Sequence, residues 1–180
     1  ELQHIPDIFI VLGGLESAYY TDDNPVMISH SKLYYERFEH VSNFEKCFDK
    51  DRICKIAVYS KDAERLVYPF VNALKSEFSV MLSDATLVDI MMPNVSKASA
   101  LEVLRQKLGI MSNECMVFGD YLNDYEMICE CPNSYAMANA HPKLKIVATH
   151  VTEYDNEHHG VIRTICQKFR LNEPQDSWLE

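Results

Sequence analysis

The sequence predicts an α/β protein in which a small α/β lobe precedes part of a doubly wound, Rossmann-like parallel sheet. Short runs rich in β-branched residues, such as residues 8–12 and 53–59, have the length and composition of buried strands. Segments with apolar residues at helical spacing lie between such runs. After residue 93, strand-like and helix-like segments alternate regularly, which is typical of parallel βαβ units.

The first lobe opens with two predicted strands and a turn. The strand over residues 8–12 ends at Gly13 and Gly14, and residues 15–21 contain the second strand. A polar helical stretch is then expected around residues 31–39.

The remainder of this lobe is predicted to contain a buried strand, a helix and a pair of strands. Residues 53–59 form the strand, and residues 63–76 carry apolar side chains at helical spacing. Residues 78–82 and 86–91 predict two strands around a turn at Ser83 and Asp84.

Pro93 marks the predicted boundary, because a proline biases the residue before it towards extended geometry. We therefore expect an α/β lobe over residues 1–92 and a second part over residues 93–180. In the second part, Ser96 should cap a helix over residues 97–108 that ends at Gly109. The apolar stripe of that helix would comprise Ala100, Leu101, Leu104 and Leu108. Further strands are predicted at 115–118 and 134–138, and further helices at 123–129, 142–147 and 160–169.

The composition fits a folded chain and excludes several classes of function. The 180 residues suit one compact unit or one small domain with a second lobe, and 47% of them are hydrophobic. With 27 acidic against 17 basic residues, the net charge of −10 argues against nucleic acid as a partner. The longest apolar runs fall far short of the about 20 residues that cross a bilayer, so no membrane partner is expected.

Cysteine usage and the amino terminus indicate the cytoplasm. The six cysteines are irregularly spaced among apolar neighbours, which favours reduced thiols over a disulfide framework. Residues 1–7 lack the basic and apolar regions of a signal peptide and contain no initiator Met. We therefore expect a cytoplasmic protein, with sequence missing upstream of Glu1.

The segment from Gly119 to Asp124 is the strongest candidate for chemistry. It follows a predicted strand of an open α/β sheet, and ligands bind at the carboxyl ends of such strands. Asp120 offers a hard oxygen ligand suited to Mg²⁺, and Asp124 can orient a metal-bound water or Asn123. In the plainer interpretation, Asp120 and Asn123 only cap the next helix.

Lys97 favours the chemical interpretation. A cation at a helix N-terminus opposes the macrodipole, so local stability gives no reason for a lysine there. An ammonium group can instead neutralise a phosphoryl oxygen or the carboxylate that attacks it.

Three segments together resemble the Cof-like branch of the haloacid dehalogenase superfamily. They are Asn94-Val95-Ser96-Lys97-Ala98-Ser99-Ala100-Leu101, Gly119-Asp120-Tyr121-Leu122-Asn123-Asp124 and Tyr135-Ala136-Met137-Ala138-Asn139-Ala140. The stretch His150-Val151-Thr152, with Asn156 and Gly160-Val161, is similar to the closing segment of that family. The first lobe is similar to its α/β cap.

This resemblance implies Mg²⁺-dependent hydrolysis of a small phosphorylated metabolite, such as a sugar phosphate, through an aspartyl-phosphate. It implies catalytic roles for Lys97 and Asp124, substrate binding by Lys97 and Asn123, and metal binding by Asp120 and Asp124. Residues 1–92 would be an incomplete cap lobe, and residues 93–180 the C-terminal part of the hydrolase core.

The chain departs from the family at the nucleophile. The family opens with an apolar strand that ends in Asp-x-Asp-Gly, and no such strand is present here. Asp49-Lys50-Asp51 precedes a strand and lacks the glycine, so it does not match. We therefore expect this chain alone to be inactive, with a missing N-terminal segment or a second chain completing the sheet.

Two other functions are alternatives to the phosphatase. A phosphatase-like binding module without turnover would also explain the missing nucleophile. A dinucleotide-binding domain is disfavoured, because no Gly-x-Gly-x-x-Gly follows a strand. Four tyrosines of the first lobe could line a substrate pocket, although aromatic residues on such elements more often pack: Tyr19, Tyr20, Tyr34 and Tyr35.

Overall fold

The computed structural model of the protein describes residue 5 and residues 7–172. The predicted α/β class is confirmed, and the chain divides into two compact units between Val95 and Ser96. Within the described part of the chain, no helix is both long and apolar enough to cross a membrane.

The N-terminal unit is built on a six-stranded sheet in the order β3-β2-β1-β4-β6-β5. Neighbouring strands are antiparallel, except for the parallel pair of β2 and β3. The predicted strands of this unit are confirmed, with small changes at their ends. The strands are β1 Ile8–Gly14, β2 Ala18–Tyr20, β3 Phe38–His40, β4 Ile53–Ser60, β5 Ser79–Asp84 and β6 Leu87–Met91.

Apolar side chains cover both faces of this sheet. On one face, Phe9, Ala57 and Tyr59 are buried against the helix that follows β2. On the other face, Leu12 and Tyr19 pack around the buried thiol of Cys47. A sheet covered on both faces explains why β1 and β4 are apolar along most of their length.

The prediction of a helix around residues 31–39 is wrong. Helix α1 spans Pro25–Ser31 instead, and residues 38–40 form a strand. The side chain of Asn24 accepts hydrogen bonds from the N–H groups of Val26 and Met27, and Pro25 occupies the first turn, where its missing N–H costs nothing. This capping moves the helix to the N-terminal side of the predicted segment.

The single helix predicted over residues 63–76 is interrupted. Helices α3 Ala63–Leu66 and α4 Tyr68–Val71 are followed by a 3₁₀ turn over Asn72–Ser76. Pro69 lies in the first turn of α4, and within a continuous helix it would lack an N–H and clash with the preceding turn. The short helix α2 Glu45–Phe48, ahead of β4, was not predicted.

Asp51 fixes the turn between β1 and β2. Its carboxylate accepts hydrogen bonds from the N–H groups of Leu15, Glu16 and Ser17 and from the Tyr19 hydroxyl, at 2.9 to 3.3 Å. A Cβ on Gly14 would lie 2.1 Å from an oxygen of this carboxylate, so the turn requires glycine there. Asp51 therefore connects the turn to the segment that leads into β4.

The C-terminal unit contains a three-stranded parallel sheet in the order β7-β8-β9. A helix follows each of the first two strands, which confirms the predicted alternation. The buried core lies among the helices and this sheet and includes Val117, Ile128, Met137 and Leu144. The elements are α5 Lys97–Leu108, β7 Val117–Gly119, α6 Tyr125–Glu130, β8 Ser134–Ala136, α7 Pro142–Val147, β9 His150–Val151 and α8 Gly160–Phe169.

Helix α5 begins and ends as predicted, but its buried face differs. Ser96 and Ser99 form a reciprocal capping pair, and Gly109 ends the helix with a φ of +66°. The predicted apolar stripe is only partly buried among the described residues, because Leu104 and Leu108 are 53% and 61% exposed. Leu101 of that stripe packs on the core, and Ala98, which lies outside it, is buried.

Replacing Asp51 by Asn should lower the melting temperature at pH 7, because the amide has fewer acceptor sites for the turn. Partial burial raises the pKa of Asp51, but hydrogen bonds from the Glu16 N–H and the Tyr19 hydroxyl outweigh it and hold the pKa below the ordinary 3.8. The stabilisation should be complete above that ordinary value and be lost as the pH falls through the lower folded-state pKa.

Circular dichroism melts of the Asp51→Asn variant from pH 7 to pH 2 check this expectation. The difference from wild type should be constant down to about pH 4 and shrink below it. Asp49→Asn, a change at an exposed neighbour, is the matched control and should melt like wild type. Equal melting temperatures for wild type and Asp51→Asn at pH 7 would contradict the assigned role.

Candidate active site

The candidate site lies where β7 ends. Gly119 is the last residue of this strand, and the chain then turns through Asp120 and Tyr121 into a 3₁₀ turn over Leu122–Asp124. Helix α6 follows directly. The loop is therefore at the carboxyl end of a parallel strand, where open α/β sheets bind their ligands.

Asp124 is the central residue of this loop. It is 2% exposed, and its Oδ1 lies 2.5 Å from the Nζ of Lys97. Its Oδ2 accepts hydrogen bonds from the N–H groups of Asp120, at 3.0 Å, and Tyr121, at 3.5 Å. Burial of a carboxylate is costly unless it is paired and hydrogen-bonded, and both of its oxygens have such partners.

Gly119 allows the loop to close over Asp124. A Cβ at this position would lie 2.5 Å from the Cβ of Asp124 and 3.0 Å from its Oδ2. Real side chains do not approach so closely, so a larger residue would displace the carboxylate from the N–H groups it holds. The close approach of Gly119 to Asp124 therefore requires glycine at the end of β7.

Lys97 reaches the loop from the first residue of α5. Its side chain is 51% exposed, while its ammonium group contacts the buried Asp124. The structure thus brings together Lys97 and Asp124, which are 27 positions apart in the sequence. The capping pair at Ser96 fixes the direction of the helix start that carries the lysine.

Asp120 and Asn123 do not occupy helix N-cap positions. Tyr121 precedes the 3₁₀ turn and Asp124 precedes α6, so the plain capping interpretation does not explain the other two residues. The side chain of Asp120 is exposed and Asn123 is half-buried. Both lie on the loop that leads from β7 to Asp124, and Asp124 accepts hydrogen bonds from the first two N–H groups of that loop.

A second loop, at the end of β8, supports the first. Its backbone N–H groups at Met137 and His141 donate to the carbonyls of Gly119, at 2.9 Å, and Asp120, at 2.8 Å. This loop is itself held by Thr152, whose buried hydroxyl accepts from the Ala138 N–H. Family resemblance marked Thr152 in the sequence, but no local pattern predicted the role of His141.

The donor set of the first loop suits a hard cation with few protein ligands. Among residues 5 and 7–172, no group of three or more His, Cys, Asp or Glu side chains could enclose a metal ion. Mg²⁺ commonly keeps several waters and takes one or two carboxylates from the protein. Asp120 offers an exposed carboxylate on this loop, and the oxygens of Asp124 bind Lys97 and the loop backbone.

Comparison with known proteins identifies relatives along almost the whole chain. The sequence profile described as haloacid dehalogenase-like hydrolase matches residues 2–165. A 5-amino-6-(5-phospho-D-ribitylamino)uracil phosphatase of Escherichia coli K12 is 31% identical over 179 residues, which are 95% of this chain and 63% of that protein. An HMP-PP phosphatase of Escherichia fergusonii is 32% identical over 103 residues, covering 56% of this chain and 38% of its own.

Solved structures share the fold. A protein from Streptococcus mutans UA159 superposes with a TM-score of 0.81 at 24% identity, covering 94% of this chain and 64% of its own. A haloacid dehalogenase-like hydrolase from B. subtilis gives a TM-score of 0.74 at 20% identity, covering 86% and 63%. This chain therefore spans somewhat less than two thirds of the length of the E. coli relative and of these two structures.

Replacing Lys97 by Met should lower the free energy of unfolding by about 1–2 kcal/mol, because it leaves the buried Asp124 without its cation. The half-exposed ammonium makes the loss smaller than for a fully buried pair. In an Asp124→Asn background the same replacement should cost much less, as urea denaturation of all four proteins would show.

Lys107→Met, an exposed change on the same helix, is the matched control. It should leave stability unchanged in both backgrounds. If Lys97→Met costs the same with and without Asp124, the two side chains are not coupled and the assigned geometry is wrong.

Proposed function

Because the chain belongs to the haloacid dehalogenase-like hydrolase family, we propose that the protein it comes from is a Mg²⁺-dependent phosphatase of a small phosphorylated metabolite. The observation that carries this proposal is the contact of Lys97 with Asp124, whose other carboxylate oxygen accepts from the backbone N–H of Asp120. We assign residues 1–92 to a cap lobe and residues 93–180 to the C-terminal part of the hydrolase core. The free thiols among the described residues suit a cytoplasmic protein.

Each residue of the loop has a separate role in this proposal. The ammonium of Lys97 binds a phosphoryl oxygen and offsets its negative charge. Asp120 holds Mg²⁺, and Asn123 binds the substrate. When bound, Mg²⁺ supplies further positive charge beside the phosphoryl group.

Asp124 acts through its neighbours. Its Oδ1 fixes the position of the Lys97 ammonium, and its Oδ2 fixes the backbone of Asp120. We therefore interpret its implied metal role as indirect, since Asp124 sets the position of the carboxylate that binds the ion. Precise placement of charged groups is a large part of catalysis of phosphoryl transfer.

The nucleophile is proposed to come from a segment outside these 180 residues. Asp51 is not a candidate, because its carboxylate holds the turn between β1 and β2 ahead of a strand. Within the described residues, β7 pairs with β8 alone, so its other edge can accept a strand. Exposed apolar side chains of α5, at Val103, Leu104 and Leu108, would be covered by the same additional segment.

Replacing Asp120 by Asn should weaken Mg²⁺ binding by at least about tenfold, because the site loses its exposed anionic ligand. Isothermal titration of Mg²⁺ into the 180-residue chain measures this. Glu130→Gln, which removes an exposed carboxylate at the end of α6, is the matched control and should bind like wild type. Unchanged affinity in Asp120→Asn would remove this residue from the site.

Hydrolysis of an aryl phosphate separates an enzyme from a binding module. We expect Mg²⁺-dependent turnover by the whole protein in which this chain occurs, none by the 180-residue chain, and loss of turnover in whole-protein Lys97→Ala. Turnover by the short chain would place a nucleophile within it. Binding of Mg²⁺ without turnover by the whole protein would favour the phosphatase-like binding module.

The name of the E. coli relative suggests the first substrate to test. That name gives an aminouracil with a phosphorylated ribityl chain. We propose a substrate of this class, a phosphate ester of a polyol chain linked to a planar ring. Sugar phosphates without a ring of this kind are the comparison substrates, and a higher kcat/KM for them would contradict the proposed class.

A further inference from the structure

A cleft of about 490 Å³ opens in the N-terminal unit, at the end of β1. Its volume is within the range of small-molecule sites. We call it the tyrosine cleft, and six of its lining residues are Gly13, Gly14, Tyr34, Tyr35, Arg37 and Lys55. None of these residues has a role in the chemistry described above.

The tyrosine cleft combines a lysine side chain with an aromatic wall. Gly13 pairs with Lys55 across the sheet, and the Lys55 side chain lies over it, since a Cβ on Gly13 would be 3.1 Å from that side chain. The ring of Tyr34 is held edge-on to His30 at 5.4 Å, and this side chain is 65% exposed. The face of an exposed aromatic ring can stack on a planar ligand.

The side chains behind this wall are fixed before any ligand arrives. Tyr35 stacks on Phe38, with ring centroids 5.7 Å apart. Its hydroxyl forms a hydrogen bond with Tyr59, and burial raises the pKa of this hydroxyl. The Nζ of Lys55 lies 3.0 Å from a carboxylate oxygen of the buried Asp89. Ser83 donates to the other oxygen of that carboxylate. Such pre-organisation lowers the entropic cost of binding.

The charges of the tyrosine cleft favour a ring with both donors and acceptors. Lys55 and Arg37 can donate to carbonyl oxygens, and the nearby Glu16 and Glu36 can accept from ring N–H groups. Arg37 lies 3.4 Å from Glu16, so the cations are balanced by carboxylates. A phosphate group would be attracted by these cations and repelled by these carboxylates, so it gains no net attraction here.

We propose that the tyrosine cleft binds the planar ring of a uracil-type compound. A uracil ring presents two carbonyl oxygens and N–H groups around a flat body, which matches the polar groups and the aromatic wall. The choice of ring rests on the proposed function, because this ring occurs in the substrate that the relative's name gives. Tyr34 stacks on the ring, and Lys55 donates to a ring carbonyl.

The test uses a ligand without phosphate, so that it does not depend on the chemistry of Lys97. The compound 5-amino-6-(D-ribitylamino)uracil is titrated into the 180-residue chain by calorimetry, with D-ribitol and inorganic phosphate as comparison ligands. We expect the aminouracil to bind and D-ribitol to give no heat. Tyr34→Ala should weaken binding about tenfold, because it removes the stacking surface.

Phe48→Ala is the matched control, since Phe48 is similarly exposed, at 63%, and is not part of the tyrosine cleft. Melting curves of both variants verify that each is folded. The proposal is overturned if the aminouracil does not bind, if D-ribitol binds equally well, or if Phe48→Ala weakens binding as much as Tyr34→Ala.

Two further results separate this proposal from the proposed function. If the chain binds the ring and the whole protein has no phosphatase activity, the proposal for the tyrosine cleft is supported and only the proposed enzymatic function is overturned. Phosphatase activity with no ring binding overturns only the tyrosine cleft.

Discussion

The carboxylate of Asp124 is almost completely removed from solvent, and a buried charge is stable only where its surroundings compensate it. Lys97 supplies the opposite charge, and two backbone N–H groups of the loop supply hydrogen bonds. The contact with the start of α5, the path of the loop and the need for glycine at position 119 all involve this one group. The proposed chemistry uses what Asp124 holds in place.

The two units stabilise the turn after a strand with the same pair of residue types. In each, a strand ends in glycine, at Gly14 or Gly119, and a carboxylate accepts N–H groups from the turn that follows. In each, a Cβ on that glycine would collide with the aspartate, at Asp51 or Asp124. The pairing of glycine with aspartate is therefore structural in both, and only the loop of Asp124 also contacts a cation at the start of a helix.

Local patterns predicted much of the fold, and the resemblance carried by Lys97 and the loop from Gly119 is confirmed by the family match. The capping of α5 was predictable because Ser96 and Gly109 act on their immediate neighbours. The buried face of α5 was not, since Leu104 and Leu108 carry no signal of which neighbour the helix meets. The burial of Asp124 was equally hidden, because it depends on residues distant in the sequence.

The exposed side chains of Leu104 and Leu108 have a consequence for the chain in solution. Exposed apolar surface and a β7 edge that pairs with no strand among residues 7–172 both promote association between copies. A net charge of −10 opposes this association through mutual repulsion, which salt screens beyond about 10 Å at 0.1 M. Association of the isolated chain is thus set by a balance between its surface charge and a helix face that stays exposed among the residues the structure describes.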